Sequence, residues 1–580
     1  MRAKVDPIVL EIINSKVSSI VEEMRVVLFH SGYSTVLRES EDGSAGLLDA
    51  QFRTVAASKK LPLHFASFSA IGEHLQEYYK ADELEDGDVI LFNHPYAGNV
   101  THLSDTVTLM PVFVHGHLVA YTATLAHKPD LGGPKARSVT RDLWEEGLVM
   151  PPVKYYARGK VSRDIEKILA ANSRTPVETL GDLRGQVAAC QVGAHRLKEL
   201  CERFGTERVV AGWDELMERI ANRLRAALRE MPDGVHEAEA ALDHDGFDLE
   251  RPLRVHVQVS KRGEKILFDF SRSEAQGKGP ANATAALIKN TCYFGLMAIT
   301  DANLPFNHGF VDVVKTRFRE GTVVCPHPGT AVSRYAPLVY LTSDIVLNAL
   351  GKFCSDKAVG AAGGGAAMRI LGTAGSSGKS WILMELLDTA LGATSSRDGI
   401  SLVHGTLGVG QFRPGPIEIH ETEFPVYITR FEVRSDSGGP GKFRGGLGCT
   451  REYRVLEEAM VPVRGPKGNL RSKVPPWGVF GGQPTRIGNI WVNGEEASEK
   501  RHEIILKPGD VIRVSTNGGG GYGNPLEREP ELVLNDVLDG YVALERARDD
   551  YSVVINPTNL TIDWPATQTL RRALEERRSM

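Results

Sequence analysis

The residues best suited to chemistry lie in two strings, NHPYAGNVTHLSD and AHKPDLGG. His102 and Asp105 are three residues apart where a loop enters a β-like run, and His127 ends the next such run. The dipeptide His115-Gly116 between the two runs is typical of a hairpin. A hairpin would return His127 to the same end of the sheet as Asp105, so we expect two imidazoles and a carboxylate to lie close together.

Imidazole and carboxylate ligands without a thiolate suit Zn²⁺, Mn²⁺ or Fe²⁺. Asp42, in the turn-rich string LRESEDGSAGLLDA, is the candidate for a fourth ligand. Asp130 follows His127 by three residues and is the candidate for proton transfer or for supporting a ligand. The chain has 17 histidines, so the alternative is that these imidazoles simply hydrogen-bond beside a Pro/Gly turn. The spacing alone leaves both interpretations open.

A nucleotide site is not supported by the glycine-rich strings. In GTAGSSGKS, one residue too many separates Gly372 from the Gly378-Lys379 pair of a phosphate-binding loop, so packing or a loop is favoured. The string GGGGYG is followed at once by Asn524-Pro525 rather than by a helix, and it is more typical of a tight backbone turn.

Composition excludes several classes of protein. Lys and Arg number 68 and Asp and Glu 73, a net charge of −5, so nothing favours a nucleic-acid partner. No apolar run approaches the roughly 18 residues of a membrane-spanning helix. The six cysteines form no CxxC pair, and the first residues have no leader-like apolar segment. We therefore expect a cytoplasmic protein with no membrane association.

Periodicity predicts the elements that carry these residues. Asp6 and Pro7 can begin a helix over 6–30, because apolar residues then recur at helical spacing. A second helical region is predicted over 161–231, and alternation typical of strands returns over 236–324. The last 50 or so residues are expected to form two helices around a strand at YSVVI.

These patterns together predict an α+β fold. We expect mixed or antiparallel sheets, a helical segment and a β-rich C-terminal half. The predicted domains are an N-terminal metal-site domain over 1–235, a central α/β glycine-rich domain over 236–420 and a β-rich domain over 421–580.

Several long strings in order make the chain resemble the hydantoinase B/oxoprolinase family, which includes the N-methylhydantoinase B component and is related to acetone and acetophenone carboxylase subunits. The resemblance runs from about residue 40 to residue 550. The strings that carry it are NHPYAGNVTHLSD, AHKPDLGG, WEEGLVMPPVK, NSRTPVETLGDLRGQ, LPFNHGF, ETEFP, RSDSGGPGKFRGGLG and TNGGGGYGNP.

The resemblance implies that Asp42, His102, Asp105 and His127 are metal ligands. It also implies that ATP and Mg²⁺ are bound by a separate partner, the actin-like, kinase-type hydantoinase A protein, in a hetero-oligomer. Asp42 departs from the family pattern, since Gly43-Ser44 follows it where an aromatic residue is usual.

Three functions are considered, and the resemblance implies the first two of them. The first is a metal-bearing subunit of an ATP-dependent cyclic amide hydrolase, acting on a small-molecule intermediate phosphorylated by the partner. The second is a subunit of an ATP-dependent ketone carboxylase. The third is a non-catalytic scaffold for the ATP-binding partner. The sequence barely separates the first two, and the compact chain slightly favours the hydrolase.

Overall fold

A computed structural model describes most of the chain. The described residues are 5–58, 61–135, 139–373, 378–408, 412–462, 474–497 and 503–579. Within them, no helix has both the length and the apolar character needed to cross a membrane. Residues 374–377 of the GTAGSSGKS string lie outside the described part, so the predicted loop there stays a prediction.

The N-terminal region begins with the predicted helix. The Asp6 carboxylate accepts from the backbone N–H groups of Ile8 and Val9, and Pro7 occupies the first helical position, where no N–H is needed. The elements of this region are α1 (Pro7–His30), α2 (Thr35–Arg38), β1 (Gly43–Asp49), β2 (Thr54–Ala57), α3 (Phe65–Tyr78), β3 (Val89–Phe92), β4 (Asp105–Val114), β5 (His117–His127), β6 (Val153–Ala157), β7 (Lys160–Val161), α4 (Arg163–Ala171), α5 (Pro176–Phe204) and α6 (Thr206–Glu230).

A seven-stranded antiparallel sheet organises this region, in the order β2-β1-β5-β4-β3-β6-β7. Helices α1 and α5 share a core with one face of the sheet, and α3 shares a core with the opposite face. Strands β1, β4 and β5 are therefore buried almost throughout. The predicted hairpin of β4 and β5 and the helical region over 161–231 are both confirmed.

The central region combines two four-stranded sheets with helices that the sequence pattern did not reveal. Strands β8 to β10 match the predicted alternation, whereas helix α7 interrupts the stretch predicted as strands and helix α9 follows it. Both helices are apolar nearly all round, so neither has the amphipathic pattern from which a surface helix is predicted. The elements are β8 (Gly234–Leu242), β9 (Leu253–Arg262), β10 (Lys265–Asp269), α7 (Ala285–Ile299), α8 (His308–Val313), β11 (Val314–Arg317), α9 (Ala336–Gly351), β12 (Ala366–Thr373), β13 (Ser380–Leu387), β14 (Thr389–Ala390), β15 (Ser401–Val403), α10 (Gly405–Gly408) and α11 (Ile417–Glu423).

The C-terminal region is built on a five-stranded sheet in the order β16-β17-β22-β19-β20, and β18 and β21 extend the sheet of β12 and β13. The prediction of two helices around a strand at YSVVI is wrong, because three helices form and that string makes only one isolated bridge, at Ile555. The elements are β16 (Val426–Val433), β17 (Cys449–Val455), β18 (Ala459–Pro462), β19 (Asn489–Val492), β20 (Glu495–Glu496), β21 (Glu503–Leu506), β22 (Val511–Ser515), α12 (Pro530–Leu538), α13 (Leu544–Tyr551) and α14 (Trp564–Ser579). The α+β class is confirmed.

Glycine-rich segments pack backbone against backbone between these sheets. A Cβ atom on Gly520 would lie 1.9 Å from the carbonyl oxygen of Trp477, and one on Gly445 would lie 1.9 Å from that of Gly519. The N–H of Gly520 donates to the carbonyl of Ala361 at 2.8 Å. The GGGGYG string therefore supports close contact of several chain segments rather than only a tight turn.

Candidate metal centre

Strand register brings three of the predicted site residues to one end of the large sheet. Asp105 is the first residue of β4 and His127 the last residue of β5, and the two are direct cross-strand partners. On the other side of β5, the N–H of His127 donates to the carbonyl of Asp42 at 3.0 Å. His102 comes from the turn before β4, where its carbonyl accepts the N–H of Asp105 at 3.0 Å.

The side chains of these residues meet. His127 Nδ1 lies 3.0 Å from Asp105 Oδ1, and His102 Nε2 lies 3.5 Å from the same oxygen. One ligand atom from each of the three residues lies within 4.8 Å of the others. The two imidazole rings stack with centroids 5.1 Å apart. The Asp42 carboxylate is further out, with Oδ2 4.0 Å from His127 Nδ1.

The electrostatics suit cation binding. Burial lowers the pKa of His127, against the opposing charge of Asp105, so its imidazole is neutral near pH 7, the form that binds a metal. Burial opposes ionisation of Asp105, but His102 and His127 together hold the pKa of this carboxyl well below its usual range. Burial and the charge of Asp105 raise the pKa of Asp42 to about 7. His102 Nδ1 is buried and has no hydrogen-bond partner among the described residues.

A hydrogen bond from α5 fixes the strand end that carries Asp105. The Gln186 side chain, fully buried on α5, donates to the carbonyl of Thr106 at 2.9 Å and accepts from the Thr106 hydroxyl at 2.8 Å. A buried polar side chain whose hydrogen bonds are all made rigidifies the structure around it. Gln186 thus holds the residue next to Asp105 in place.

Residues from distant parts of the chain surround the cluster, and sequence analysis did not identify them. The Tyr335 ring lies 5.1 Å from the His102 ring. His64 Nδ1 lies 2.8 Å from the hydroxyl oxygen of Ser44, and burial lowers its pKa to about 4. The Tyr340 hydroxyl is buried without a hydrogen-bond partner in the described structure, and the charge of Asp42 contributes to raising its pKa. His64 follows an unremarkable LPL string, and Tyr340 lies in an apolar run that indicates only a core helix.

Lys128 adds a buried cation next to the cluster. Its side chain is fully buried, and its ammonium donates to the carbonyl of Ala126 at 3.3 Å. Burial lowers its pKa to about 8, although Asp182, Asp105 and Asp42 favour the charged form. The protonated ammonium therefore places positive charge close enough to Asp105 and Asp42 to interact with both carboxylates.

Asp130 is held by an ion pair beyond the strand end. Its two carboxylate oxygens accept from the backbone N–H and the guanidinium of Arg174, each at 2.6 Å, and the side chain is fully buried. Arg369 lies 3.6 Å from the same carboxylate. Asp130 therefore ties the segment after His127 to the start of α5, and its predicted part in proton transfer stays a prediction.

Comparison with known proteins places the chain in a family. The family model described as Hydantoinase B/oxoprolinase matches residues 6–525. The chain belongs to this family.

Two relatives match over almost their whole length. The B component of a putative D-/L-hydantoinase from Pseudomonas sp. (strain NS671) is 30% identical over 98% of this chain and 98% of its own. The beta subunit of the caprolactamase of Pseudomonas jessenii is 30% identical over 98% and 99%, respectively. The crystal structure of ATP-dependent caprolactamase from P. jessenii matches with a TM-score of 0.89 and 29% identity, over 98% of this chain and 100% of that one.

A nucleotide-free structure of acetone carboxylase shares the fold alone. It matches with a TM-score of 0.87 at 18% identity, over 99% of this chain and 83% of that one.

Proposed function

We propose that the chain is the metal-binding subunit of an ATP-dependent cyclic amide hydrolase that works with an ATP-binding partner protein. The observation that carries this proposal is the convergence of His102, Asp105 and His127 within 4.8 Å in a buried site. The relatives named as components of a hydantoinase and a caprolactamase, at 30% identity, support a hydrolase, whereas the carboxylase similarity extends only to the fold.

The residues present fit a divalent transition metal. The donor set has two imidazoles and one carboxylate, with Asp42 as the candidate fourth donor 4.0 Å from His127. The buried His102 Nδ1, which has no partner among the described residues, is a polar atom that a ligand would satisfy. When bound, such a cation polarises a carbonyl or phosphoryl oxygen and lowers the pKa of water.

The chain's own groups would orient and stabilise the reacting molecule. His102, Asp105 and His127 would hold the cation, and the Tyr335 ring lies 5.1 Å from the His102 ring on the edge of this group. Lys128 and the Tyr340 hydroxyl are two buried groups that would stabilise negative charge on the substrate.

The proposal assigns ATP to a second protein. We propose that this partner, an actin-like protein of the kinase type, holds ATP and Mg²⁺ and activates the amide by phosphorylation. Two relatives are named as the B component and the beta component of their enzymes, which supports a hetero-oligomer.

The test measures metal content and turnover in the complex co-expressed with its ATP-binding partner. We expect close to one transition metal ion per chain by elemental analysis, and ring opening of a lactam, oxoproline or hydantoin that depends on ATP. His102→Ala and His127→Ala should each lose most of the metal and the product while retaining some ATP hydrolysis. His117→Ala, at the exposed far end of β5, is the matched control and should change neither.

Two outcomes would contradict the proposal. Turnover of a ketone that requires bicarbonate would identify a carboxylase instead. Full ring opening by a metal-free His102→Ala, His127→Ala double variant would favour a scaffold without a catalytic site.

A further inference from the structure

A stripe of buried polar side chains lies on the face of α5 that meets the ends of the large sheet. Its members, Thr179, Asp182 and Gln186, have no exposed surface. They follow one another at intervals of three and four residues, the spacing that places side chains on one face of a helix. A polar group costs free energy when it is buried unless it is hydrogen-bonded, so the partners of this polar stripe indicate its role.

Each member of the polar stripe bonds to a segment next to a candidate ligand. The Thr179 hydroxyl donates to the carbonyl of Asp130 at 3.2 Å, in the segment that follows β5. Gln186 bonds to Thr106, the second residue of β4. Asp182 bonds to the turn between α1 and α2, which leads to the segment that carries the third carboxylate candidate. The polar stripe therefore reaches all three segments that meet at the metal centre.

Asp182 accepts three hydrogen bonds from the turn before α2. Its Oδ1 accepts from the backbone N–H groups of Tyr33 and Ser34 at 2.7 and 3.0 Å, and its Oδ2 accepts from the Ser34 hydroxyl at 2.6 Å. Bonds to an ionised acceptor are stronger than those between neutral groups. The absence of a side chain at Gly181 permits this close approach, since a Cβ there would lie 2.2 Å from Cγ of Tyr33. Asp182 thus fixes the turn against α5.

Helix α2 transmits this constraint from the turn to Asp42. Ser34 is the N-cap of α2, and its hydroxyl oxygen accepts the N–H of Leu37 at 3.3 Å. The helix is only four residues long, so its first and last residues share nearly the same contacts. The carbonyl of Val36 in this helix accepts the N–H of Asp42 at 3.1 Å. A short series of hydrogen bonds therefore connects Asp182 to the backbone of Asp42.

Asp42 needs support of this kind because it lies outside the hairpin. The register of β4 and β5 places Asp105 against His127, whereas Asp42 precedes β1. The residue before it, Glu41, has a φ of 55°, in the left-handed region that residues other than glycine rarely adopt. Local backbone preference therefore does not favour this conformation, and contacts from elsewhere must hold it.

The buried charges agree with this arrangement. Lys128 has no exposed surface, and its ammonium interacts with the charge of Asp182 as well as with the two carboxylates of the metal centre. When all three carboxylates are ionised, one ammonium and one divalent cation together balance them. Compensation of this kind is what permits several charges to be buried together.

We propose that Asp182 is a positioning residue of the metal centre, which acts through Ser34 and α2 to place the Asp42 carboxylate beside His127. This inference deepens the proposed function, and it rests on that function for the presence of a metal ion. The effect of Asp182 on the turn can be measured without metal, so the inference can fail while the proposed function stands.

The experiment titrates Co²⁺ into the metal-stripped complex, using a competing chelator for affinity and the visible absorption bands as a signature of coordination. We expect Asp182→Asn to weaken Co²⁺ binding about tenfold and to shift the bands as Asp42→Asn does. In an Asp42→Asn background, Asp182→Asn should add less than about a twofold loss, because both substitutions then act on the same ligand.

Ser34→Ala separates positioning from charge, and it keeps the inference testable if Asp182→Asn does not fold. This substitution removes the hydroxyl that joins Asp182 to α2 and changes no charge. We expect it to weaken Co²⁺ binding at least about threefold, with the same shift of the absorption bands.

Hydrogen–deuterium exchange gives a readout that needs no metal. Asp182→Asn should raise amide exchange over residues 33–42 of the metal-stripped complex, because local opening there no longer breaks the bonds to the carboxylate. Asp245→Asn is the matched control. Asp245 is 2% exposed and also accepts three backbone N–H groups, at 2.7 to 2.8 Å, but it follows β8, outside the segments that carry the candidate ligands. It should change neither Co²⁺ affinity nor exchange over residues 33–42.

Three results would overturn the inference while the parent complex still binds Co²⁺ and the proposed function stands. The first is unchanged Co²⁺ affinity in both Asp182→Asn and Ser34→Ala. The second is a loss from Asp182→Asn that adds in full to that of Asp42→Asn, and the third is unchanged exchange over residues 33–42. A parent complex that binds no Co²⁺ would overturn the inference and the proposed function together, and the parent alone reveals that result.

Discussion

Asp105 and His127 lie 22 residues apart in the chain, yet they are direct cross-strand partners with Oδ1 and Nδ1 separated by 3.0 Å. The register of one hairpin thus determines the geometry of the candidate metal centre. A slip of one residue would turn either side chain to the other face of the sheet. The Gln186 bonds to Thr106 oppose such a slip.

The first prediction concerns the two carboxylates. Asp105 Oδ1 lies 3.0 Å from one imidazole and 3.5 Å from the other, whereas Asp42 comes only within 4.0 Å of His127. We expect Asp105→Asn to weaken metal affinity by at least about 100-fold and Asp42→Asn by about tenfold, on the scale by which ligand-supporting residues act. Competition with a chromophoric chelator measures both.

Asp164→Asn serves as the control for this comparison, since the Asp164 side chain is 86% exposed and pairs with Lys167 on the surface. Equal affinity for Asp105→Asn and the unmodified protein would contradict the assignment of Asp105 as a ligand.

The hairpin and its site were predictable because their causes are local. The lengths of the runs around His115-Gly116 set which residues share a sheet end, so His102, Asp105 and His127 could be grouped from spacing. His64 and Tyr340 could not be placed there, because contacts between distant segments bring them to the cluster. Helix α9 shows the same difficulty, since an apolar run indicates burial without indicating what it faces.

A second prediction concerns Asp130, whose buried pair with Arg174 supports the start of α5. Removing one partner of a buried pair costs about 3–5 kcal/mol, because a charge is left uncompensated. We expect Asp130→Asn to lower the free energy of unfolding by that amount in urea denaturation, while metal content stays unchanged. The control Asp164→Asn breaks an exposed pair and should cost under about 0.5 kcal/mol. Lost metal with unchanged stability would instead indicate a direct part in the metal centre.

A third prediction concerns the packed glycine segments. A Cβ on Gly520 would lie 1.9 Å from the carbonyl oxygen of Trp477, and backbone on both sides leaves no space for relaxation. We expect Gly520→Ala to cost more than about 4 kcal/mol and to reduce soluble yield sharply. Gly234→Ala is the control, since its nearest neighbour would be Phe353 at 3.5 Å, an ordinary contact. Thermal unfolding of both variants distinguishes a steric clash at Gly520 from a general intolerance of alanine in place of glycine. Equal unfolding midpoints for the two variants would show that the segments packed around Gly520 can move apart.

The fourth prediction is a pH dependence that comes from His404. This residue is 4% exposed, its Nδ1 lies 3.0 Å from the carbonyl oxygen of Leu387, and burial lowers its pKa to about 4. The unfolded chain has a histidine pKa of about 6.5, so it takes up a proton first as the pH falls. The stability contributed by neutral His404 is therefore complete above about pH 6.5 and is lost progressively toward pH 4. Between pH 7.5 and pH 5 this single group should cost about 2 kcal/mol.

His404→Asn removes the titration while keeping a side-chain N–H for the Leu387 carbonyl. We expect the variant to lose about 2 kcal/mol less stability than the parent between pH 7.5 and pH 5, measured by urea denaturation. His195→Asn is the control, because the His195 side chain is 70% exposed on α5. If the free energy of unfolding changed with pH in the same way for His404→Asn and the parent, His404 would become protonated in the folded protein without cost. That result would contradict the prediction that burial disfavours the charged imidazole.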